Sequence, residues 1–394
     1  MKKQKVCIIG GGLAGLITAA TLSKLNLKID LVTGVFYQHT RSNRSTAISQ
    51  DNYDNLKKLK VFETLNKTFW PCTEMKIYAE DKDKKFKEIF EFNKKSNKEK
   101  KKVLYMVENL LLQKSIIKNL KKEKKIKFIS QTNVTKIFSE DSLKTVKFEG
   151  LNKSKYNLVI MCTGNNSELS KKYFDDKIFK YGDDEISITT VLKHNEVQNN
   201  VARQIFLDDG ILALLPISNK KTSIVWSTKR DIFNKYKNNE KKFFYNKIKI
   251  YTKNFFEKTK LISKIEIRNL NLMLRKNYYK DRTLLFGDAL HVVHPLVGQG
   301  LNMTLRDLNI LNKILKNRIS LGLDIGASDI LVEFSNNAKS VNLLYSMGID
   351  FFRNSFTIEN KYMQQFRNNI IEKLNKNNIV KNIFFDLADK GLRF

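Results

Sequence analysis

The residues Gly10 to Gly15 near the start of the chain read GGGLAG and have the spacing G-x-G-x-x-G. A short apolar strand is predicted at residues 5–9, before this stretch, and a helix after it. Gly10 permits a tight turn, Gly12 lets a pyrophosphate approach the backbone, and Gly15 lets the helix lie close to the strand. The alternative is a glycine turn without a ligand. The predicted dinucleotide-binding residues are Gly10, Gly12, Leu13, Ala14 and Gly15.

A second strand, predicted at residues 28–32, completes a βαβ unit with the first. In such units an acidic residue usually ends this strand and binds the adenosine ribose. Thr33 occupies that position here. We expect its hydroxyl to hydrogen-bond the ribose, more weakly than a carboxylate would.

A second glycine-rich stretch, residues 284–302, also reads as a strand, a loop and the start of a helix. Leucines at positions 301, 305, 308, 311 and 315 predict one buried helical face. Asp288 at the strand end can accept a hydrogen bond from a ribityl hydroxyl, and the turn at residues 298–300 lets backbone touch a flat ring. The helix N-terminus suits the negative edge of a reduced flavin. The predicted flavin-binding residues are Asp288, Pro295, Gly298, Gln299, Gly300, Leu301 and Asn302.

The stretch GDALHVVHPLVGQGLNMTLRDL closely resembles the GD-containing motif of the para-hydroxybenzoate-hydroxylase class of flavoproteins. A third stretch, residues 156–167, resembles the middle motif of that class. The class normally has Asp-Gly there, whereas this chain has Thr163 and Gly164. The resemblance implies that both residues lie at the FAD site. Because Thr163 replaces an acidic residue of the class, we expect slow direct reduction by NADH or NADPH and a separate protein that delivers electrons.

Smaller signatures are similar to those of the hydroxylases of ubiquinone biosynthesis. They are RSTAIS at residues 44–49, YMVEN at 105–109, GILALLP at 210–216 and SIVW at 223–226. The resemblance implies that Arg44 approaches the flavin. For the strands alone, ordinary sheet structure would explain the alternation. The order of the matches along the chain favours the family.

The resemblance implies an α/β fold with a Rossmann-like FAD-binding domain, an interleaved β-sheet substrate domain and C-terminal helices. We expect the FAD-binding domain at residues 1–72, 103–175 and 270–320, the substrate domain at 73–102 and 176–269, and the helical region at 321–394. Within these, residues 231–260 are predicted to be helical and residues 94–102 to form an exposed hairpin end or loop. The cofactors implied are FAD, with NAD(P)H or another electron donor, and molecular oxygen as co-substrate.

Three functions fit this class of protein. The first is hydroxylation of the aromatic ring of a polyprenylated phenol or quinol precursor. The second is reduction of isoprenoid double bonds by a flavoprotein of the same fold. The third is a non-catalytic flavoprotein in a quinone-synthesis assembly, suggested by Thr33 and Thr163. His294 is a weak candidate for a catalytic base, whereas His291 is expected to hold the loop by hydrogen bonds.

The net charge of +32 has two explanations, compositional drift toward Lys and Asn or attraction to an anionic membrane surface. A nucleic-acid partner is not expected, because no basic and aromatic module is present. Cys7, Cys72 and Cys162 predict neither disulfides nor a metal site, and the first and third are expected to be buried. The N-terminus is not read as a signal peptide, because glycines interrupt its apolar stretch.

The tail, residues 328–394, looks helical and carries phenylalanines among basic residues. Packing on the cofactor domain is one explanation for them, and contact with a membrane surface is the other. No run of about 18 apolar residues predicts a transmembrane helix. We expect a cytoplasmic location and leave open a peripheral attachment to the inner membrane.

Overall fold

The computed structural model describes residues 3–34, 42–60, 69–80, 85–96, 99–174, 178–181, 184–235, 240–270, 272–295, 298–356 and 371. Expectations for the tail beyond residue 356 lie outside these residues, apart from Ile371. The helices are α1 Leu13–Leu22, α2 Gln50–Lys58, α3 Asn109–Leu120, α4 Glu168–Tyr173, α5 Arg230–Asn234, α6 Glu240–Thr252, α7 Gln299–Ser320 and α8 Ser328–Phe356. None of the helices in the described ranges has a stretch apolar and long enough to cross a bilayer.

The strands alternate with these helices along the chain. Those of the first half are β1 Gln4–Ile9, β2 Leu27–Thr33, β3 Ser45–Ser49, β4 Trp70–Cys72, β5 Glu74–Glu80, β6 Phe86–Ser96, β7 Glu99–Lys101, β8 Leu104–Glu108, β9 Ile126–Ser130, β10 Val134–Glu140, β11 Leu143–Phe148, β12 Ser154–Tyr156 and β13 Leu158–Met161. Those of the second half are β14 Ile178–Tyr181, β15 Glu185–Lys193, β16 Val201–Leu207, β17 Gly210–Ser218, β18 Lys221–Lys229, β19 Lys260–Leu261, β20 Glu266–Asn269, β21 Leu272–Arg275, β22 Tyr279–Lys280, β23 Thr283–Leu285 and β24 His291–Val292.

A six-stranded sheet in the order β22-β23-β13-β1-β2-β9 forms the centre of the cofactor region. Strands β1, β2, β9, β13 and β23 run parallel to their neighbours. The middle strands are continuous apolar runs and are buried, as expected where helices cover both faces of a parallel sheet. Cys7 and Cys162 lie in this core and are buried, as predicted. The βαβ unit predicted at the N-terminus is therefore present, and the α/β fold is confirmed.

A larger, nine-stranded sheet has the order β19-β15-β18-β17-β16-β5-β6-β7, with β20 also paired to β15. It combines strands from both segments predicted to form the substrate region. Alternate residues of each strand point to opposite faces. The outer face packs on α5 and α6. The inner face is apolar and packs against β3, β4, β8 and α8.

Some local expectations were wrong. Residues 231–260 do not form one helix: α6 ends at Thr252, and Lys260 belongs to a strand. Strand β14, expected with the substrate region, pairs with β21, which pairs in turn with β24.

The hairpin end predicted within residues 94–102 is present as the pairing of β6 with β7. The division into domains at the stated boundaries stays a prediction.

Helix α7 buries the leucines at 305, 308, 311 and 315, which confirms the predicted helical face. It begins at Gln299. Helix α8 packs alongside α7, with Phe334 and Ala338 buried in the central core. The first half of α8 therefore packs on the cofactor region, whereas Ile349, Phe356 and Ile371 pack on the inner face of the large sheet.

Candidate functional site

Three motifs meet at one edge of the central sheet. Strands β1, β13 and β23 are adjacent and parallel, and their last residues are in register: Ile9 pairs with Met161, and Met161 pairs with Leu285. Each glycine motif follows one of these residues. Ligands of open α/β sheets bind outside the carboxyl ends of the strands. The topology therefore brings together three stretches that are far apart in sequence.

The glycines of the first motif serve two different needs. A Cβ on Gly10 would lie 2.2 Å from the carbonyl oxygen of Cys162, and one on Gly15 would lie 2.0 Å from the carbonyl oxygen of Gly10. Gly10 also has a φ of +130°, which favours glycine. A Cβ on Gly12 would meet nothing within 4 Å. The fold itself therefore requires Gly10 and Gly15, whereas Gly12 borders open space.

Gly12 caps the N-terminus of α1 without a side-chain hydrogen bond. The first N–H groups of a helix lack partners within the helix, and the helix dipole adds partial positive charge there. Leu13 and Ala14 supply the first of these groups and pack at the margin of the central core. This exposed N-terminus fits the pyrophosphate of a dinucleotide.

The turn after β23 rests against the same helix. Gly287 has a φ of +63°, and a Cβ on it would lie 2.7 Å from the Cβ of Ala14. The next residue, Asp288, is exposed on a single 3-10 turn at residues 287–289. Because Gly287 lies against Ala14, the exposed residue Asp288 follows directly on a contact with the first turn of α1. It is suited to accept a hydrogen bond from a ligand hydroxyl.

Arg44 and Asp288 are electrostatically coupled. The Arg44 side chain remains accessible to water, yet burial lowers its pKa, with Arg268 adding to the decrease and Asp288 and Glu266 opposing it. The backbone is fixed there, since the Asn109 amide donates to the Arg44 carbonyl at 2.9 Å.

The N-terminus of α7 forms another wall of the site. Gly298 precedes the helix with a φ of +67°, and its amide donates to the Pro295 carbonyl at 3.3 Å. No side chain caps this helix, and a Cβ on Gly300 would meet nothing within 4 Å. Gln299 begins the helix, and Leu301 packs at the margin of the core. These free N–H groups beside open space match the edge of a flavin ring.

Asn302 has a structural role that its predicted place in the motif did not indicate. Its amide donates to the Ala47 carbonyl at 3.0 Å and accepts from the Ser49 amide at 3.0 Å. The Asn52 side chain also donates to it, at 3.1 Å. The buried side chain therefore joins α7 to β3 and α2. A Cβ on Gly298 would lie 2.9 Å from the Cβ of Ala47, so the two segments are in close contact.

The threonines that replace acidic residues have different environments. Thr163 shares a 2.6 Å hydrogen bond with Ser170 on α4. Gly164 beside it has a φ of +78°, and a Cβ there would meet nothing within 4 Å. Thr33 is buried beneath Gly11, and its hydroxyl has no hydrogen-bond partner among the described residues. The ribose contact expected of Thr33 stays a prediction.

His294 is buried and faces the large sheet. Its Nε2 lies 3.6 Å from an oxygen of Glu185, whose carboxylate is paired with Arg353 of α8. Burial, assisted by Arg353, lowers the pKa of His294 to about 3. A ring with this pKa is neutral near pH 7 and accepts protons weakly. These observations disfavour His294 as a catalytic base.

His291 forms a hydrogen bond, as expected, within a buried network whose other members the sequence did not reveal. Its Nε2 lies 2.9 Å from Asp307 of α7, and the same carboxylate oxygen accepts from Asn342 of α8 at 2.9 Å. Asn342 also donates to the hydroxyl of Tyr278, and burial and Asp307 raise the pKa of this phenol. The sequence signal that could have revealed this network is Asp307, a charged residue on the leucine face of α7, because a buried carboxylate needs hydrogen-bond partners.

The fit to a dinucleotide flavin rests on these features together. Two uncapped helix N-termini, an exposed carboxylate and three glycines that border open space line one edge of the sheet. Gln113 also holds the first loop by donating to the Gly11 carbonyl at 3.1 Å. That contact comes from α3 and was missed at the sequence level.

The comparisons with known proteins agree with this geometry. The sequence profile of the FAD binding domain family matches residues 3–320, and the chain belongs to this family. FAD is therefore its cofactor. A crystal structure of the p-nitrophenol 4-monooxygenase PnpA from Pseudomonas putida DLL-E4 has a TM-score of 0.81 at 15% identity, covering 100% of this chain and 99% of that one.

Two curated relatives are similar in sequence. The ubiquinone biosynthesis monooxygenase COQ6 of Dictyostelium discoideum is 24% identical over 461 aligned positions, which cover 97% of this chain and 90% of that protein. The ubiquinone hydroxylase UbiL of Rhodospirillum rubrum is 27% identical over 245 positions, which cover 61% of this chain and 56% of that protein.

Proposed function

We propose that this chain is an FAD-dependent monooxygenase that hydroxylates the aromatic ring of a polyprenylated phenol in ubiquinone biosynthesis. The observation that carries the proposal is the similarity to the Dictyostelium COQ6 protein over 97% of this chain, because it includes the substrate sheet as well as the cofactor region. When bound, FAD supplies the redox chemistry by which one oxygen atom of O2 reaches the ring. Oxygen and a reductant, NAD(P)H or another donor, complete the reaction.

Different groups of residues at the edge of the central sheet would bind different parts of FAD. Gly10, Gly12, Leu13, Ala14 and Gly15, with Thr33, would bind the adenosine and pyrophosphate portion. Asp288 would bind the ribityl chain, with Thr163 and Gly164 beside it. Arg44, Pro295, Gly298, Gln299, Gly300, Leu301 and Asn302 would surround the flavin ring. Asn302 acts in this arrangement by fixing the α7 N-terminus through its contacts with Ala47 and Ser49.

A cavity of about 10 Å³, room for one water molecule, lies on the inner face of the large sheet. Its lining is mostly apolar, with Arg203 and Gln204 as polar members; the other lining residues are Ala47, Met75, Leu104, Ala202 and Leu215. Ala47 also contacts Gly298 at the start of α7. An aromatic ring bound against this apolar face, with the lining side chains moved apart, would lie next to the proposed flavin position. The apolar walls would then exclude water from the ring.

Contact with a membrane surface is the finer part of the proposal. Helix α8 exposes apolar residues along one side: Leu343, Leu344, Met347 and Phe351 are 47%, 51%, 59% and 78% exposed. Residues four apart on a helix lie on one face. Another side of the same helix packs Ile349 and Phe356 against the inner face of the large sheet. An exposed apolar side and a net charge of +32 suit an anionic lipid surface.

The enzymatic proposal is tested by supplying the purified, FAD-loaded protein with 18O2, a reductant and a prenylated phenol. We expect a product that carries one 18O atom on the ring. Cells that lack the gene should accumulate the unhydroxylated precursor in their lipid extract. A product that forms equally well without oxygen would instead support a reductase of the same fold.

The membrane proposal is tested by vesicle co-sedimentation. We expect Phe351→Asp to reduce binding to anionic vesicles by about tenfold or more, because an apolar side chain of this size contributes about 1.5–3 kcal/mol when buried. Asn336→Asp is the matched control, since Asn336 is exposed on the same helix and the charge change is identical. Equal loss of binding in the two variants would refute a specific role for the apolar side of α8.

A further inference from the structure

Two buried histidines lie in the segment between β23 and α7, which we call the flavin loop (residues 287–295 and 298). His291 and His294 are each 1% exposed. His294 precedes Pro295, whose carbonyl accepts a hydrogen bond of 3.3 Å from the Gly298 amide. Gly298 in turn caps the N-terminus of α7. The position of His294 therefore constrains the backbone where α7 begins.

His291 is connected to α8 through one carboxylate. Its Nε2 lies 2.9 Å from an oxygen of Asp307, and the same oxygen accepts a hydrogen bond of 2.9 Å from Asn342 of α8. The side-chain oxygen of Asn342 accepts from Arg306 at 2.7 Å, so the amide presents its N–H donors to Asp307 and Tyr278. Asp307 and Asn342 are fully buried, so water does not compete for this contact.

His294 is connected to the same helix through a second carboxylate. Its Nε2 lies 3.6 Å from one oxygen of Glu185, at the start of β15, and Arg353 of α8 is ion-paired with the other oxygen. The first oxygen is buried and has no hydrogen bond within the part of the chain that the structure describes. A neutral His294 with its proton on Nε2 places a donor beside this oxygen, which reduces the cost of burying it.

Asn342 and Arg353 lie on one face of α8. They are eleven positions apart (353 minus 342), which is about three turns of an α-helix. Ile349 and Phe356, on the same face, pack on the inner face of the large sheet. Phe351, 78% exposed, lies on the opposite side. Apolar packing alone would not require two polar side chains on the packed face, because each of them needs a partner there.

We infer that Asn342 and Arg353 position the flavin loop, and with it the free N–H groups of α7, against the negatively charged edge of reduced FAD. They are positioning residues, because they act through Asp307 and Glu185 and not on the cofactor itself. The inference rests on the proposed placement of the flavin ring at the start of α7 and adds the residues that maintain it. A helix N-terminus strengthens the binding of a negative charge by roughly two- to thirtyfold. Loss of either contact should therefore weaken the binding of reduced FAD more than that of oxidised FAD.

The test measures the midpoint potential of the flavin in the FAD-loaded full chain by spectroelectrochemical titration. We expect Arg353→Met to lower this potential by about 30 mV, which corresponds to a tenfold loss of affinity for reduced relative to oxidised FAD. Arg353→Lys, which keeps a cation able to pair with Glu185, should restore most of the difference. Lys339→Met is the matched control, because it removes the same charge from an exposed position of α8 and should leave the potential unchanged.

Two further variants separate positioning from a direct effect of charge. Through its electric field alone, loss of the Arg353 cation would lower the potential, whereas loss of the Glu185 carboxylate would raise it. Positioning predicts a decrease for Glu185→Met as well, and no further decrease when the two changes are combined. Asn342→Leu replaces one uncharged side chain by another and should also lower the potential.

The outcomes separate the inference from the proposed function. Opposite shifts in Arg353→Met and Glu185→Met, or an unchanged potential in Asn342→Leu, overturn the positioning role while the proposed function stands. Gly300→Asp tests the placement of the flavin, because its carboxylate would enter the open space at the start of α7 and should lower the potential or prevent FAD binding. FAD binding with an unchanged potential in Gly300→Asp would overturn both. If Arg353→Met does not fold, Glu185→Met and Asn342→Leu make the same test.

Discussion

Replacing Gly12 by Asp should abolish FAD binding and leave the stability of the apoprotein nearly unchanged. Gly12 has a φ of −74°, which any residue adopts, and a Cβ there meets nothing within 4 Å. The added carboxylate would face the pyrophosphate. At about 4 Å and an effective dielectric constant of about 20, one pair of like charges costs about 4 kcal/mol, or roughly 10³-fold in Kd.

Two matched variants make this prediction specific. Gly12→Asn has nearly the same size without the charge, so its FAD affinity should be intermediate, and the difference from Gly12→Asp should shrink as salt is added. Gly15→Ala should behave in the opposite way, because its Cβ would lie 2.0 Å from a backbone oxygen. Overpacking of this kind costs about 1–3 kcal/mol of apoprotein stability.

The assays are FAD titration by flavin fluorescence and urea unfolding of the apoprotein. The reasoning is refuted if Gly12→Asp binds FAD as tightly as Gly12→Asn at low salt. It is also refuted if Gly12→Asp destabilises the apoprotein as much as Gly15→Ala does, because open space beside Gly12 would then be absent.

Three further predictions concern single side chains. Asp288→Ala should weaken FAD binding by about 1.5–3 kcal/mol, the scale of a hydrogen bond to a charged group, and an unchanged Kd in the titration would remove Asp288 from the site. Thr163→Asp should speed anaerobic reduction of the flavin by NADPH in stopped-flow measurements, whereas fast wild-type reduction that the change does not improve would show the threonine to be harmless. The pKa of His294 is about 3 in the folded protein and 6.5 ordinarily, so the unfolded chain binds a proton here below pH 6.5 that the folded protein does not. The free energy of unfolding should therefore be highest above pH 6.5 and decrease as the pH falls toward 3. In urea unfolding, the free energy of unfolding of His294→Gln should therefore decrease less steeply between pH 6.5 and pH 3 than that of the wild type. An equal decrease in both proteins would contradict this.

The parts of the site that follow strands could be predicted, because backbone geometry is local. The glycine motif, its strand and its helix were found from spacing alone, and Gly10 and Gly15 make the close contacts that the motif requires. The meeting of the three motifs was implied by the family resemblance. Parallel pairing of β1, β13 and β23 gives its physical cause.

Side-chain partners that are distant in sequence could not be predicted. Asn302 was assigned to the flavin from its motif, yet its amide is engaged by Ala47 and Ser49 more than 250 positions away. His294 seemed available as a base until the fold placed it against Glu185 and lowered its pKa. Spacing along a chain carries no information on burial by a sheet formed elsewhere.

The hydrogen bonds around Asp307 determine where the protein could be shortened. The family match ends at residue 320, which invites truncation after α7. Asn342 of α8 nevertheless donates to the Asp307 carboxylate and to the Tyr278 hydroxyl, and Phe334 fills the central core. Cutting at residue 320 would remove Asn342 from the buried Asp307 carboxylate and leave an apolar gap beside the leucine face of α7. The minimal folding unit thus extends beyond the residues that the family profile matches and includes α8.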